Sequence, residues 1–313
     1  MKVLVLGNGA HVNKRVLPAL NKIKTIESVI VADKNTENNV IIDSCLELRN
    51  FDKELKSSEV FDFIIIATPP YNHKTSLLEV LEKSDNILIE KPIFNDLDFI
   101  FGEELKKLKN DKNIFESLMY LHHPLWLYVK DLIKQKDIKK VTSEFSVPHM
   151  SEDSYRYKKD LGGGSLFDQG IYPISMALEM SDNSQIVNKI QVFKSKDYEV
   201  DIGGTLDLII DEKINYVGKW GLGKDYKNYL RLETANGETF QIDFIFSKPD
   251  DTYTKINIED SKYSSEVNIG NYDQFQIMYQ DLIDNNFLKF EYSNHKNLLK
   301  RYNLMREVLK EIN

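Results

Sequence analysis

Only one cysteine, Cys45, occurs in 313 residues, so the chain cannot close a disulfide on itself. That usage fits a reducing compartment, and no histidine partner for a catalytic thiol is evident. Cys45 therefore reads as a small packed residue near the start of a helix. Long apolar runs are missing too: none approaches the roughly 18 residues that span a bilayer. The apolar segment of residues 1–6 runs straight into Gly7 and is too short for a secretion signal. A basic excess is also absent, since 41 Lys and Arg face 49 Asp and Glu for a net charge of −8. Nucleic acid, which needs a clustered basic face, is excluded as a partner, and so is a membrane. Anionic small molecules stay possible, because local clusters decide those. Repeats and low-complexity tracts are lacking. What is left is a soluble, cytoplasmic, globular chain, long enough for two domains.

The first half alternates apolar runs with helical patterns. Residues 2–6, 28–32, 40–42, 62–66, 86–89 and 113–120 read as strands, with helical connections over 43–57, 74–82 and 96–108. Leu77, Leu78 and Leu81 are expected to face inward. Short continuous apolar runs separated by helices predict a doubly wound parallel sheet over residues 1–121, whose ligands bind beyond the carboxyl ends of the strands. Gly7-Asn8-Gly9-Ala10-His11-Val12 follows the first strand, and Asp33 ends the second. Two glycines at a strand-to-helix turn let a pyrophosphate approach the backbone, and an acid ending the next strand bonds the ribose of NAD. Val12 replaces the usual small residue, which predicts a wider gap between helix and strand, and Pro18 predicts a kink. Asp33 would repel a 2′-phosphate. NAD(H) is therefore favoured, with NADP(H) kept open by Lys34. Lys91, after residues 86–90, is either an ordinary surface lysine or a group placed for chemistry.

From residue 122 the rhythm changes. His122-His123-Pro124 opens a helix, and adjacent histidines on a regular element cannot ligate one metal together. No metal site is expected. Strands are read over 140–148, 190–194, 205–210, 214–220, 229–234 and 239–244, with Asn236-Gly237 as a hairpin turn. They predict an α+β domain over 122–313 with a largely antiparallel open sheet. Its last helix, 294–313, carries Leu298, Leu299, Tyr302, Met305, Leu309 and Ile312 as one stripe and is free to pack back on the first domain. Between its first strands lies Gly162-Gly163-Gly164 and then Asp168 and Tyr172, four residues apart and so on one face of a helix that Pro173 kinks. An acid and a phenol there are a cap and a packed ring, or a catalytic pair. Arg156, Lys158 and Lys159 could meet a diphosphate or be a solvated charge run.

Taken together, these stretches resemble the glucose–fructose oxidoreductase/inositol dehydrogenase (Gfo/Idh/MocA) family. The matching pieces are Gly7-x-Gly9 with Asp33, Ala67-Thr68-Pro69-Pro70 with His73, Glu90-Lys91-Pro92, Met119-Tyr120-x-x-His123-Pro124 and Gly162-Gly163-Gly164-Ser165-Leu166-x-Asp168-x-Gly170-x-Tyr172-Pro173. The resemblance implies a Rossmann domain holding a nicotinamide cofactor against Gly7, Gly9, Ala10, His11, Val12, Asp33, Lys34, Thr68, Pro69, Pro70, His73, Glu90 and Lys91. It implies catalytic roles for Lys91, Asp168 and Tyr172, and substrate contacts from those three with His123, Arg156 and Gln169. Many members carry His at the position of Tyr172. The Tyr form resembles the branch acting on aldoses, dihydrodiols and nucleotide-linked ketosugars.

Hydride transfer at a carbinol carbon needs a proton to move at its oxygen. A phenol, with an ordinary pKa of about 10, needs a cation such as Lys91 to stabilise its anion. Asp168 could orient the substrate hydroxyl or keep Lys91 charged. The expected activity is a nicotinamide-dependent oxidoreductase, foremost a reductase of a ketosugar or nucleotide-linked ketosugar. An aldose, polyol or dihydrodiol dehydrogenase, or a cofactor-binding sensor without turnover, are the alternatives. A homodimer or homotetramer is expected, because helices cover only one face of the second sheet.

Overall fold

In the computed structural model the chain divides into two compact units, Met1–Leu118 with Phe275–Leu298 and Met119–Gln274 with Leu299–Asn313. The structure describes residues 1–36, 40–42, 45–181, 184–249, 252–288, 290 and 293–312. Where the sequence suggests one boundary near residue 121, each unit takes in a C-terminal piece as well. No helix among the described residues is long and apolar enough to cross a membrane.

The first unit holds β1 (Lys2–Leu6), β2 (Ser28–Asp33), β3 (Val40–Ile41), β4 (Leu46–Asn50), β5 (Phe63–Ile66), β6 (Asn86–Ile89) and β7 (Asn113–Glu116). Their order in the sheet is β3-β4-β2-β1-β5-β6-β7, and every pair is parallel except β3 with β4. Val3 to Leu6, Phe63 to Ile66 and Ile87 to Ile89 are all fully buried, as strands covered on both faces must be. The strand order reverses at β1, with β2 on one side and β5 on the other, so the crevice beyond these two carboxyl ends is where a ligand belongs.

Three expectations are corrected here. Residues 46–50, read as helix, are β4, and Cys45 before it is exposed rather than packed. The alternation of Leu46 and Leu48 with Glu47 and Arg49 is a strand pattern, and Arg49 binds Glu47 at 2.8 Å and Glu54 at 2.9 Å. Asn50 then caps the helix Phe51–Lys56, accepting from Lys53 N at 3.1 Å. In the helix His73–Val80 the buried face is His73, Ser76, Leu77 and Val80, while Leu78 is 38 % exposed. And β7 stops at Glu116, its expected end becoming a 3₁₀ turn, Met119–His122.

The second unit is built on β8 (Ile138–Val147), β9 (Gln185–Lys194), β10 (Asp201–Ile210), β11 (Ile214–Leu222), β12 (Lys227–Thr234), β13 (Thr239–Asp243), β14 (Thr254–Glu259) and β15 (Ser264–Gly270). They run β15-β14-β13-β12-β8-β11-β10-β9, antiparallel throughout except β8 with β11. Gly237, at φ +87°, closes the β12–β13 hairpin as its Asn-Gly pair requires. The helical stretch of residues 166–179 covers one face. There Tyr216 reaches Ser143 at 2.5 Å and donates to the Pro173 carbonyl at 2.6 Å. A Cβ on Gly204 would overlap the Trp220 ring, so glycine makes room for it. Most of the alternating apolar residues serve this face, among them Leu206, Leu208, Leu230 and Leu232. The other face is mainly polar: Thr142, Glu144, Lys219, Tyr229 and Arg231 share it by register, with Val217, Ile209 and the exposed Ile186 and Phe193 toward the β9 edge, and Tyr229 donates to Glu144 at 3.2 Å.

Candidate active site

In the first unit the turn after β1 is shaped by its glycines. Gly7 sits at φ +102°, and a Cβ there would meet the Ala67 carbonyl oxygen at 2.8 Å. Only glycine allows both the backbone and the contact with the end of β5. At Gly9 a Cβ would touch nothing within 4 Å. Packing does not demand that glycine; it leaves the backbone uncovered toward the crevice, which suits a pyrophosphate. Asn13, which the sequence reading passed over, clamps the loop by donating to Asn8 Oδ1 at 2.9 Å and to the Asn8 and Gly9 carbonyls at 3.1 Å. Ala10 and His11 are exposed and Val12 is fully buried. The helix opens with a wide π turn, Val12–Val16, ahead of Pro18. A proline lacks the N–H that an earlier carbonyl would take, and a wide turn relieves the loss.

Asp33 is already engaged by the protein. Its Oδ2 accepts from Asn8 N at 2.9 Å and its Oδ1 from Asn35 N at 2.8 Å. A carboxylate has four lone-pair sites, so capacity for a ribose hydroxyl remains. Lys34 is exposed, with Nζ 5.4 Å from the centre of the Phe51 ring.

His73 and Glu90 are each held by groups of the protein itself. His73 is fully buried, Nε2 2.8 Å from the Thr68 carbonyl and Nδ1 2.9 Å from that of Pro92. It ties together the loops after β5 and β6 rather than facing a ligand. Burial lowers its pKa even though the carbonyls of Thr68, Pro92 and Ile93 favour the charged ring. Glu90 accepts from Ser117 Oγ at 2.9 Å and faces His11 Nε2 at 3.2 Å. Burial raises its carboxyl, but His11, Ser117 and Lys91 outweigh that and hold it below the usual range. Thr68 and Pro69 lie at the exposed rim and Pro70 is buried. Lys91 is half-buried beyond the carboxyl end of β6, joined to Pro92 by a cis peptide. Buried Glu116, also missed in the sequence, accepts from Ile93 N at 2.8 Å and fixes this loop.

In the second unit Leu166–Gly170 is a second π turn, again just before a proline, Pro173. The four-residue spacing of Asp168 and Tyr172 therefore does not follow an α-helix. What relates them is Arg156. Its Nε donates to Asp168 Oδ2 and its Nη2 lies 3.5 Å from Oδ1. Burial works against the guanidinium charge, but Asp168 foremost, then Tyr155 and Tyr172, outweigh it and raise its pKa. Arg156 is thus committed to Asp168 and is not a surface cation awaiting a diphosphate; Lys158 and Lys159 are exposed. Gln169 donates to Asp168 Oδ2 at 2.5 Å. Tyr172, 3 % exposed, stands among Phe145, Phe246 and Tyr120, with its hydroxyl 3.9 Å from the Met119 sulfur.

Asp201 organises this turn without having shown itself in the sequence. It accepts from Ser165 Oγ at 2.5 Å and from Leu166 N at 2.8 Å. Gly164, at φ +116°, leaves its carboxylate room. Burial raises the Asp201 pKa against those two bonds. Only its distance along the chain from Ser165 hid it.

Residues 1–113 match the model of an oxidoreductase family with an NAD-binding Rossmann fold, GFO_IDH_MocA. That match covers the N-terminal sheet, the part of the chain that resembles the Gfo/Idh/MocA family. An NAD(P)-dependent oxidoreductase is what this match and the reductase relatives support. The chain is similar to a dTDP-3,4-didehydro-2,6-dideoxy-alpha-D-glucose 3-reductase of Saccharopolyspora spinosa, 25 % identical over 284 residues that cover 88 % of this chain and 84 % of the relative. Its fold is that of KijD10, a 3-ketoreductase from Actinomadura kijaniata solved with NADP and TDP-benzene. The TM-score is 0.87 at 20 % identity, over 99 % of this chain and 97 % of that one. An aldose-aldose oxidoreductase from Caulobacter crescentus shares the fold at TM-score 0.79 and 13 % identity, over 100 % and 97 % of the two chains.

Proposed function

We propose that this protein reduces the keto group of a nucleotide-linked sugar, taking hydride from a nicotinamide cofactor. The observation that carries the reading is the likeness over 88 % of the chain to a dTDP-ketosugar 3-reductase. The buried Tyr172 and Asp168 of the second unit, with half-buried Arg156 on Asp168, support it.

The cofactor, when bound, supplies the hydride. The rest falls to the chain's residues. The turn at Gly7 and Gly9 would hold the pyrophosphate and Asp33 the ribose, which favours NAD(H), although KijD10 was solved with NADP. Tyr172 would give its phenolic proton to the sugar oxygen as that oxygen gains the electron pair. Lys91 would supply positive charge to the developing alkoxide. Asp168, held by Arg156 and Gln169, would orient a sugar hydroxyl as an acceptor. Proton transfer from a placed side chain is worth about 10²–10⁴-fold in rate.

The likeness to an aldose-aldose oxidoreductase supports a second reading, turnover of free aldoses. One assay separates them: follow nicotinamide absorbance with a dTDP-linked 3-ketosugar and with free aldoses. Turnover of the linked ketosugar is expected; activity confined to free sugars would replace the first reading by the second.

Self-association is also proposed, as a homodimer or homotetramer through the uncovered sheet face. Because that face is mainly polar, such a contact would rest largely on ion pairs and hydrogen bonds, with exposed Ile186 and Phe193 adding apolar area.

A further inference from the structure

Three buried side chains of the second unit carry polar atoms without a hydrogen-bond partner among the described residues. Lys248 is 1 % exposed and its Nζ has no hydrogen-bond partner. His123 is 1 % exposed, and its Nδ1 accepts from Leu125 N at 3.1 Å to cap the helix Pro124–Gln135. An accepting Nδ1 leaves the proton of the neutral ring on Nε2, which makes no well-formed hydrogen bond among the described residues, although the Tyr272 backbone lies near enough to favour the charged ring. Gln274, also 1 % exposed, has both amide atoms unpartnered. It lies two residues beyond Tyr272, whose ring meets His123 edge-on at 5.8 Å. Buried donors without acceptors are rare and costly, and each calls for an explanation.

Their place in the fold is specific. Lys248 follows Phe246, whose ring is 5.5 Å from Tyr172 and 5.4 Å from Tyr120, three residues before His123. Asn228 pins the segment, accepting from Phe246 N at 3.0 Å and donating to the Ser247 carbonyl. Lys248 lies near enough to His123 for its charge to act on that ring, and both adjoin in sequence the aromatic residues that pack on Tyr172.

We propose that Lys248, His123 and Gln274 form the seat of the substrate's diphosphate. This rests on the nucleotide-linked reading above. The chemistry of the seat is one-sided: an ammonium, an imidazole N–H and an amide N–H₂ call for a ligand rich in acceptor oxygens and negative charge. A sugar's diphosphate hangs on its first carbon, a few bonds from the keto group, so its seat belongs near Tyr172. Arg156, the other cation near Tyr172, is already bound to Asp168. Burial alone draws the Lys248 ammonium down to about 7, with no acid opposing it. His123 is drawn to about 3 by burial first and by the Lys248 charge second. A bound dianion would supply the missing counter-charge to both.

Calorimetric titration of the full chain tests this, with dTDP, thymidine, inorganic pyrophosphate and NADPH as probes. Lys248→Met removes an unpaired buried amine and should fold at least as stably as the parent. It is expected to weaken dTDP and pyrophosphate about 10-fold or more while thymidine and NADPH hold. His123→Asn, which keeps a capping acceptor, should weaken the same two probes. Unchanged dTDP affinity in Lys248→Met, no pyrophosphate binding by the parent, or a loss confined to NADPH would each overturn the assignment. A parent that binds pyrophosphate through Lys248 but ignores dTDP would keep the anion seat and sink the nucleotide-sugar reading instead.

Discussion

Arg156 and Asp168 are joined through two guanidinium nitrogens and both carboxylate oxygens, Nε to Oδ2 and Nη2 to Oδ1 at 3.5 Å. The pair fixes the carboxylate on the π turn and sets a cation toward Tyr172. Asp168 is only 6 % exposed, so removing its partner leaves a buried charge uncompensated. Arg156→Met should destabilise the protein by about 2–3 kcal/mol, less than for a fully buried pair because Arg156 keeps some contact with water. Adding Asp168→Asn should restore part of that loss. Urea denaturation of the three variants measures it, and additive single losses would show that the pair is not coupled.

At the other turn, Asp33 should choose the cofactor. A 2′-phosphate set beside a carboxylate meets Coulomb repulsion and loses solvation. Fluorescence titration is expected to show tighter NADH than NADPH. Asp33→Ala should narrow or reverse the ratio. It should also weaken both cofactors, since the Asn8 backbone loses its 2.9 Å bond. Tighter NADPH binding by the parent would make Lys34 the deciding residue.

The parallel sheet was legible because its strands are short apolar runs ended by turn residues, and the Gly7, Asp33, Lys91 and Tyr172 positions follow from motifs. Hidden parts fail for physical reasons. β4 pairs Leu46 and Leu48 with charges that fit a helix surface equally well. β14 and β15 carry Lys255, Asn257 and Glu266 among their apolar residues, so neither period stands out. Asp201, Asn13 and Glu116 act through backbone groups brought near by the fold. The π turns came from Pro18 and Pro173, where a kink was the obvious expectation.

Acid should destabilise the fold more than ordinary carboxylates explain. His123 ionises near 3 when folded and near 6.5 when unfolded, and burial lowers His73 and His295 as well. Below 6.5 the unfolded chain binds protons the folded one refuses, so stability is full above 6.5 and is lost as pH falls toward the folded values. Each such histidine can contribute up to about 1.4 kcal/mol per pH unit in that window. His123→Asn should lose less stability than the parent between about pH 6.5 and 4.5. Parallel stability–pH curves would show that His123 titrates alike in both states.

Association through the mainly polar sheet face should depend on salt. Light scattering is expected to give a multiple of 36.4 kDa at low ionic strength and a shift toward monomer in about 1 M salt, where the screening length falls to roughly 3 Å. Reversal of charge at Arg231, which shares that face with Glu144, should lower the mass at low salt. A monomer under every condition refutes the proposal.

Tyr172 decides the mechanism. Its ring packs against Phe145 at 5.0 Å and Phe246 at 5.5 Å, and both contacts survive in phenylalanine. Tyr172→Phe therefore removes a proton donor while leaving the packing in place. Its hydroxyl lies 3.9 Å from the Met119 sulfur, a weak acceptor. Melting temperature and cofactor affinity should hold while turnover of the ketosugar falls about 10²-fold or more. The loss should appear in kcat rather than KM, because a proton that moves only in the transition state does not help ground-state binding. If Tyr172 were merely a packed ring, turnover would stay within a few-fold of the parent. Asp168 would then be the remaining donor beside Arg156, and activity would have to rise at acid pH as that carboxylate takes up its proton.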